Sequence, residues 1–284
     1  MAERQHAGGI QLDAGRPGTA AIDRHLVVGA GLSMAWRVVA ASATGRAHLD
    51  RGQPCQDAFA SASAGDLLVA AVCDGAGSAM HSDVGARQVA DGVVQTLVRV
   101  LQAGPRPLEL AVDVLRPLIE QAVNDVRGEL AMASVANGVG FSEHACTLVG
   151  VAADATGGWF FHVGDGVAAC RFGGQQASAV SLPANGEYAN ETWFVTGDNW
   201  QQQLRLMRFE GPVDAIALMS DGVQPFAMTR DGADMFQPFF EPVVRYLRGV
   251  DANTGSQALH ATLADPRTDH ITGDDKTLLL ALPV

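Results

Sequence analysis

The chain has 284 residues, 48% hydrophobic and 18% charged, a balance that can bury a sizeable core in one large domain or two small ones. A formal net charge of −12 argues against nucleic acid or an anionic membrane as the main partner. Cys55, Cys73, Cys146 and Cys170 are widely spaced without a Cys-x-x-Cys pair, which excludes a disulfide-dense scaffold or a zinc framework of that type.

Residues 1–33 are rich in Gly, Ala, Gln and Arg without sustained periodicity and read as a flexible tail, with a short apolar anchor at 26–28. The domain is expected over 34–284. Residues 36–42 predict a first strand, and a loop with Gly45, His48, Gly52 and Pro54 leads to Gln56-Asp57. A strand at 67–73 ends at Asp74. Ser82 is the expected N-cap of a helix whose Ala86, Ala90, Val93, Val94, Leu97, Val98 and Leu101 fall at helical spacing. Gly104-Pro105 breaks that helix. A second helical pattern runs from Leu115 to Leu130, with Pro117 predicting a kink or a late start. Strands follow at 145–153, 158–163 and 167–172. The polar, irregular stretch 174–210 has the length of a functional loop. A strand at 213–219, helical segments over 234–264 and a last strand at 276–282 complete the chain. The fold class is α+β, two sheets packed face to face with helices outside.

Three apolar runs end on Asp-Gly: 67–73 into Asp74-Gly75, 159–163 into Gly164-Asp165-Gly166, and 215–219 into Ser220-Asp221-Gly222. A fourth acidic pair, Asp274-Asp275, precedes the last strand. Asp-Gly also makes good turns, and any one of these could be no more than that. Four carboxylates meeting at strand ends would repel one another unless cations compensate, and Mg²⁺ or Mn²⁺ favours such oxygen-rich sets. Two such ions lower the pKa of a bound water and neutralise phosphoryl charge, which suits phosphate-ester hydrolysis. The chain has no Cys-x5-Arg cradle, Gly-x-Ser-x-Gly elbow, Walker A sequence or His-Glu-x-x-His.

Six pieces occur in order: Gln56-Asp57; ValCysAspGlyAlaGly (72–77) with SerAspValGlyAla (82–86); AlaCysThrLeuValGly (145–150); HisValGlyAspGly (162–166); LeuMetSerAspGlyVal (218–223); and AspAspLysThrLeuLeuLeu (274–280). Together they resemble the metal-dependent protein phosphatases of the protein phosphatase 2C family. GlyGlnProCysGlnAspAla (52–58) and GlyGluTyrAlaAsnGluThr (186–192) are similar to a bacterial branch, often found beside a protein kinase. The resemblance implies a four-layer α-β-β-α sandwich with two central antiparallel sheets and metals in a cleft at one edge. It implies a serine/threonine phosphatase in which metal-bound water attacks phosphorus in line. Asp74 would bridge two Mg²⁺ or Mn²⁺ ions, the Gly75 carbonyl would ligate one, and Asp221 and Asp274 would complete the first. Asp57 would hold metal-bound water from behind, Asp165 with Asp221 would take a weaker third ion, and 174–210 would form a flap beside the cleft. The implied partners are a phosphorylated protein and a cognate serine/threonine kinase or its targets, with no nucleic acid or membrane. The expected location is the cytoplasm: four spaced cysteines suit a reducing compartment, no apolar run reaches membrane-spanning length, and no signal-peptide layout is present.

Two departures bear on chemistry. Family members commonly hold the substrate phosphate with an Arg shortly before the first acidic motif; here His48 stands nearest that place, flanked by Arg46 and Arg51. His48 is therefore a catalytic candidate beside Asp57 and Asp74, or an ordinary surface histidine. Many eukaryotic members also carry a His after the first Asp-Gly, where this chain has Ala76. Two other functions share the motifs: a regulatory binding module of this fold without turnover, and a phosphatase of a small metabolite. His144 and His162 are expected to pack or hydrogen-bond rather than bind metal, and Trp193 and Trp200 either touch substrate or anchor the long loop.

Overall fold

A computed structural model describes residues 25–27, 36–173, 178–182 and 192–284. In chain order its strands are β1 (His25–Val27), β2 (Trp36–Ala43), β3 (Ala58–Ala64), β4 (Leu67–Cys73), β5 (Leu148–Asp154), β6 (Gly157–Val163), β7 (Val167–Phe172), β8 (Ser178–Ser181), β9 (Arg205–Glu210), β10 (Val213–Met219) and β11 (Lys276–Pro283). The helices are α1 (Arg46–Leu49), α2 (Ser82–Leu101), α3 (Val112–Asn137), α4 (Trp200–Gln203), α5 (Gln224–Ala227), α6 (Gln237–Leu247) and α7 (Ala252–Leu263).

Near-continuous apolar strands need cover on both faces, and three apolar layers supply it. One sheet has the order β1-β3-β4-β5-β6-β9, the other β2-β11-β10-β7-β8. Between them lie Leu68, Val72, Val151, Phe160, Ile216, Leu218 and Leu279, with Phe160 stacked on Phe209 at 4.3 Å between ring centres. Alternate residues of the same strands face outward: Val69, Ala71 and Cys73 meet Val89, Val93, Leu97 and Ile119 of α2 and α3. On the opposite side Ala217, Met219, Leu278 and Leu280 meet Phe240, Val244, Leu259 and Leu263 of α6 and α7. The result is the expected four-layer α-β-β-α sandwich. Its pairings are antiparallel except for β1, which runs parallel to β3. That strand falls inside the segment read as a tail; the rest of residues 1–33 lies outside the described residues.

Local differences from the sequence expectations have simple causes. Ser82 is the first helical residue, not the cap: its hydroxyl donates back to the Ala79 carbonyl at 3.1 Å. α3 starts at Val112 and runs through Pro117, which lies in its second turn. It ends at Gly138, whose φ of 65° gives the left-handed cap that glycine adopts readily. β5 begins at Leu148 because Cys146 is drawn into an isolated bridge with Gly75. The stretch 174–210 is not one loop: β8 pairs with β7, α4 follows, and β9 closes the first sheet against β6. Residues 174–177 and 183–191, including most of the 186–192 motif, lie outside the described residues.

Candidate active site

The strand ends that carry Asp-Gly converge on one cleft of about 670 Å³. Its lining includes Asp74, Gly75, Asp165, Asp221 and Asp274, together with His48 and Arg51. Each aspartate sits at a break in its strand. Asp74 follows β4 and is held by Thr147: its backbone N–H donates to Thr147 Oγ1 at 3.0 Å and its carbonyl accepts the Thr147 N–H at 2.8 Å. Gly75 lies so close to the Gln56 carbonyl that a Cβ would approach it to 2.6 Å. Asp165 follows Gly164, whose φ of 106° is a glycine conformation. Its carboxylate accepts from Thr192 Oγ1 at 2.8 Å and its carbonyl from Gln224 Nε2 at 2.7 Å. Asp221 opens a single 3-10 turn, Asp221–Val223, after β10. Asp274 accepts the Asp275 N–H at 2.9 Å just before β11.

Asp57 is placed differently. It is 6% exposed and lies behind the cleft wall rather than on it. Ser220 Oγ donates to its Oδ2 at 2.7 Å, while its Oδ1 is buried without a partner. Burial pushes the Asp57 carboxyl up to about 7; the Ser220 hydroxyl opposes the shift, and Asp275 and Asp221 add to it. Asp74 is raised well above the usual carboxylate range, first by burial and then by Asp57, Asp221, Asp274 and Asp165. Burial, Asp274 and Asp165 lift Asp221 to about 6, against a hydrogen bond from Asp74 that pulls it down. Burial and mutual repulsion together make these carboxylates hold their protons more tightly than free ones.

Asp275, next to the lining Asp274, is buried behind the cleft. At 2% exposure it accepts the Gly45 N–H at 2.6 Å and the Gln56 N–H at 2.5 Å, tying the loop before β3 to the start of β11. His48 Nδ1 stands 3.0 Å from Asp275 Oδ2, at ion-pair distance but off the line of a hydrogen bond. His48 is 4% exposed, so it is not a surface histidine. Arg46 turns out to solvent and pairs with Asp50 at 2.7 Å. Arg51 lines the cleft, its Nε donating to the Ala47 carbonyl at 2.8 Å. Ala76 also lines the cleft and presents no proton donor.

Asp275, Ser220, Thr147 and Thr192 escape the sequence-level search. Each lies in or beside a quoted motif, Thr147 in 145–150, Thr192 at the end of 186–192, Ser220 before Asp221 and Asp275 after Asp274, but nothing in the sequence marks its role. His144 bonds Ser134 at 3.3 Å and His162 bonds Ser181 at 2.9 Å, each away from the cleft lining. Trp200 is buried in the core under α2 and α3 with Trp193 packed against it, so the two tryptophans anchor the long connection.

Among the described residues no three carboxylate, imidazole or thiolate groups close on a common point as a finished metal site. The donors nevertheless suit a hard cation: all are oxygens, they are crowded enough to hold protons, and Asp221 Oδ1 is buried without a partner.

Known proteins are similar to this chain in sequence and in fold. The profile of the protein phosphatase 2C family matches residues 44–264. Serine/threonine-protein phosphatase 3 of Escherichia coli (strain K12) is 31% identical over 261 residues, covering 88% of this chain and 99% of that protein. Among solved structures, a bacterial serine phosphatase superposes with a TM-score of 0.57 at 15% identity, over 88% of this chain and 98% of that one. RsbX in complex with magnesium gives 0.51 at 13% identity, over 88% and 96%. The two structures share the fold; the family profile and the Escherichia coli relative carry the assignment, and this chain belongs to the protein phosphatase 2C family.

Proposed function

We propose that this phosphatase hydrolyses phosphoserine and phosphothreonine in proteins, with two Mg²⁺ or Mn²⁺ ions in the acidic cleft. The observation that carries the proposal is the charge of the cleft. Among the described residues Asp74, Asp165, Asp221 and Asp274 line it, against a single lining guanidinium, that of Arg51. A phosphate dianion has no reason to enter such a wall unless cations first reverse its sign. Asp74, the Gly75 carbonyl, Asp221 and Asp274 would hold the two ions, and Asp165 with Asp221 a weaker third. When bound, such ions supply neutralisation of phosphoryl charge and activation of water.

The chain's own groups do the rest. Ser220 fixes Asp57 behind the cleft wall with its Oδ1 left without a partner, where it would orient a water held at the ions. Arg51, on the cleft lining, holds the phosphate, a role its fork of donors suits. The magnesium in RsbX and the likeness to the Escherichia coli serine/threonine-protein phosphatase support this proposal. A phosphoprotein in a bacterial cytoplasm, with a cognate serine/threonine kinase, is the proposed setting. No helix among the described residues is long and apolar enough to cross a membrane.

The test is Mn²⁺ binding by calorimetry and turnover, side by side, for Asp74→Asn, Asp221→Asn and Asp274→Asn. Each is expected to lose both while unfolding as cooperatively as the parent. A variant that keeps tight Mn²⁺ binding and full turnover removes that residue from the set. A chain that binds Mn²⁺ tightly without any turnover would favour the regulatory module.

A further inference from the structure

Hydrolysis of a phosphoserine or phosphothreonine expels an alkoxide, a poor leaving group unless a proton reaches its oxygen as the P–O bond breaks. Position 76, on the cleft wall, is alanine and supplies none. The next residue, Gly77, has no side chain, and two polar groups face the space this leaves. An ideal Cβ on Gly77 would lie 3.9 Å from His48 Nε2 and 4.0 Å from Gln56 Oε1. Both side chains are more than nine-tenths buried, and Gln56 Oε1 has no hydrogen-bond partner. The far edge of the imidazole, Nδ1, is set against the buried Asp275 carboxylate at 3.0 Å. Asp275 is itself fixed by the Gly45 and Gln56 N–H groups. His48 thus lines the cleft with its Nε2 edge toward Gly77, and a fixed carboxylate stands at ion-pair distance behind its Nδ1 edge, where a small turn of the ring makes the hydrogen bond.

We infer that His48 is the general acid for the leaving group and that Asp275 is its positioning residue. This rests on the phosphoprotein-phosphatase function proposed above. The P–O bond to the Ser or Thr oxygen breaks and its electron pair stays on that oxygen. The oxygen takes the Nε2 proton of the His48 imidazolium, leaving neutral His48 with Nδ1–H toward Asp275. The phosphorus gains its new oxygen from water, and His48 recovers its proton from solvent.

The role separates from phosphate holding by the leaving group. p-Nitrophenolate departs near neutral pH without a proton, whereas a threonine alkoxide does not. With Mn²⁺ present, turnover of a phosphothreonine peptide and of p-nitrophenyl phosphate is measured for the wild type, His48→Gln and Asp275→Asn. His48→Gln is expected to widen the aryl-to-peptide ratio of kcat by about a hundredfold, and Asp275→Asn to widen it in the same direction by less. Equal losses on both substrates overturn the acid role and leave the phosphatase function standing. Turnover of the aryl ester with none of the peptide by the wild type overturns the phosphoprotein function and this inference with it. A second measurement needs no variant. Across a series of aryl phosphates with increasingly basic leaving groups, the wild-type rate is expected to fall less steeply once the phenolate is basic enough to need a proton, and a slope that stays steep throughout contradicts it.

Discussion

Replacing Asp57 by Asn should stabilise the metal-free protein at neutral pH, the opposite of what a substitution in a buried polar network usually does. In the fold the Asp57 carboxyl is pushed up to about 7, first by burial. In the unfolded chain it titrates near its ordinary value of 3.8. Between those limits the folded state keeps a proton that the unfolded state has released, so wild-type stability falls as pH rises and levels off above the folded value. A gap of about 3 units at about 1.4 kcal/mol each makes the loss on the order of 4 kcal/mol. Asn carries no such proton and can still accept from Ser220, so it escapes the loss. His162, whose value burial lowers to about 3, imposes an opposing pH slope on both proteins and cancels in the difference. The assay is urea unfolding of both proteins in EDTA at pH 4, 5, 6, 7 and 8. The difference in unfolding free energy should move in favour of Asp57→Asn by on the order of 4 kcal/mol between pH 4 and 8, and added Mn²⁺ should reverse it in favour of the wild type. A difference independent of pH would refute the argument that Asp57 is a desolvated carboxyl behind an acidic cleft.

Three further outcomes are expected. Asp275→Ala strands the Gly45 and Gln56 N–H groups and unpairs His48 in a buried place, so urea unfolding should show a loss of about 3–5 kcal/mol. Arg51→Ala should raise KM for p-nitrophenyl phosphate by at least about tenfold, the loss of a charge-assisted hydrogen bond. Arg46→Ala should leave KM within about twofold, because Arg46 pairs with Asp50 at the surface.

The strands and their acidic ends were legible because both follow from local pattern. Buried strands such as 67–73 and 213–219 are short apolar runs, and each stops where Asp and Gly break the ladder. Convergence was legible only through the ordered resemblance, since Asp74 and Asp274 are 200 positions apart. What the pattern could not show is which acid faces the cleft. Asp274 and Asp275 are neighbours of identical chemistry, yet one lines the cleft and the other is buried as a tie for two loops. That division depends on Gly45, Gln56 and His48, which are remote in sequence. The same holds for Arg46 and Arg51, separated by one short helix that points them in different directions. The parallel β1 registered only as the short apolar anchor at 26–28, because a three-residue strand carries too little alternation to read as a strand.

The central claim is that this acidic cleft hydrolyses phosphoproteins only when divalent cations fill it. It is tested most directly by phosphate release from a phosphothreonine peptide by the purified chain, in Mn²⁺ and then in excess EDTA. The account predicts release that stops in EDTA and returns when Mn²⁺ is restored. Release that continues unchanged in EDTA, or no release from the peptide in Mn²⁺, would contradict it.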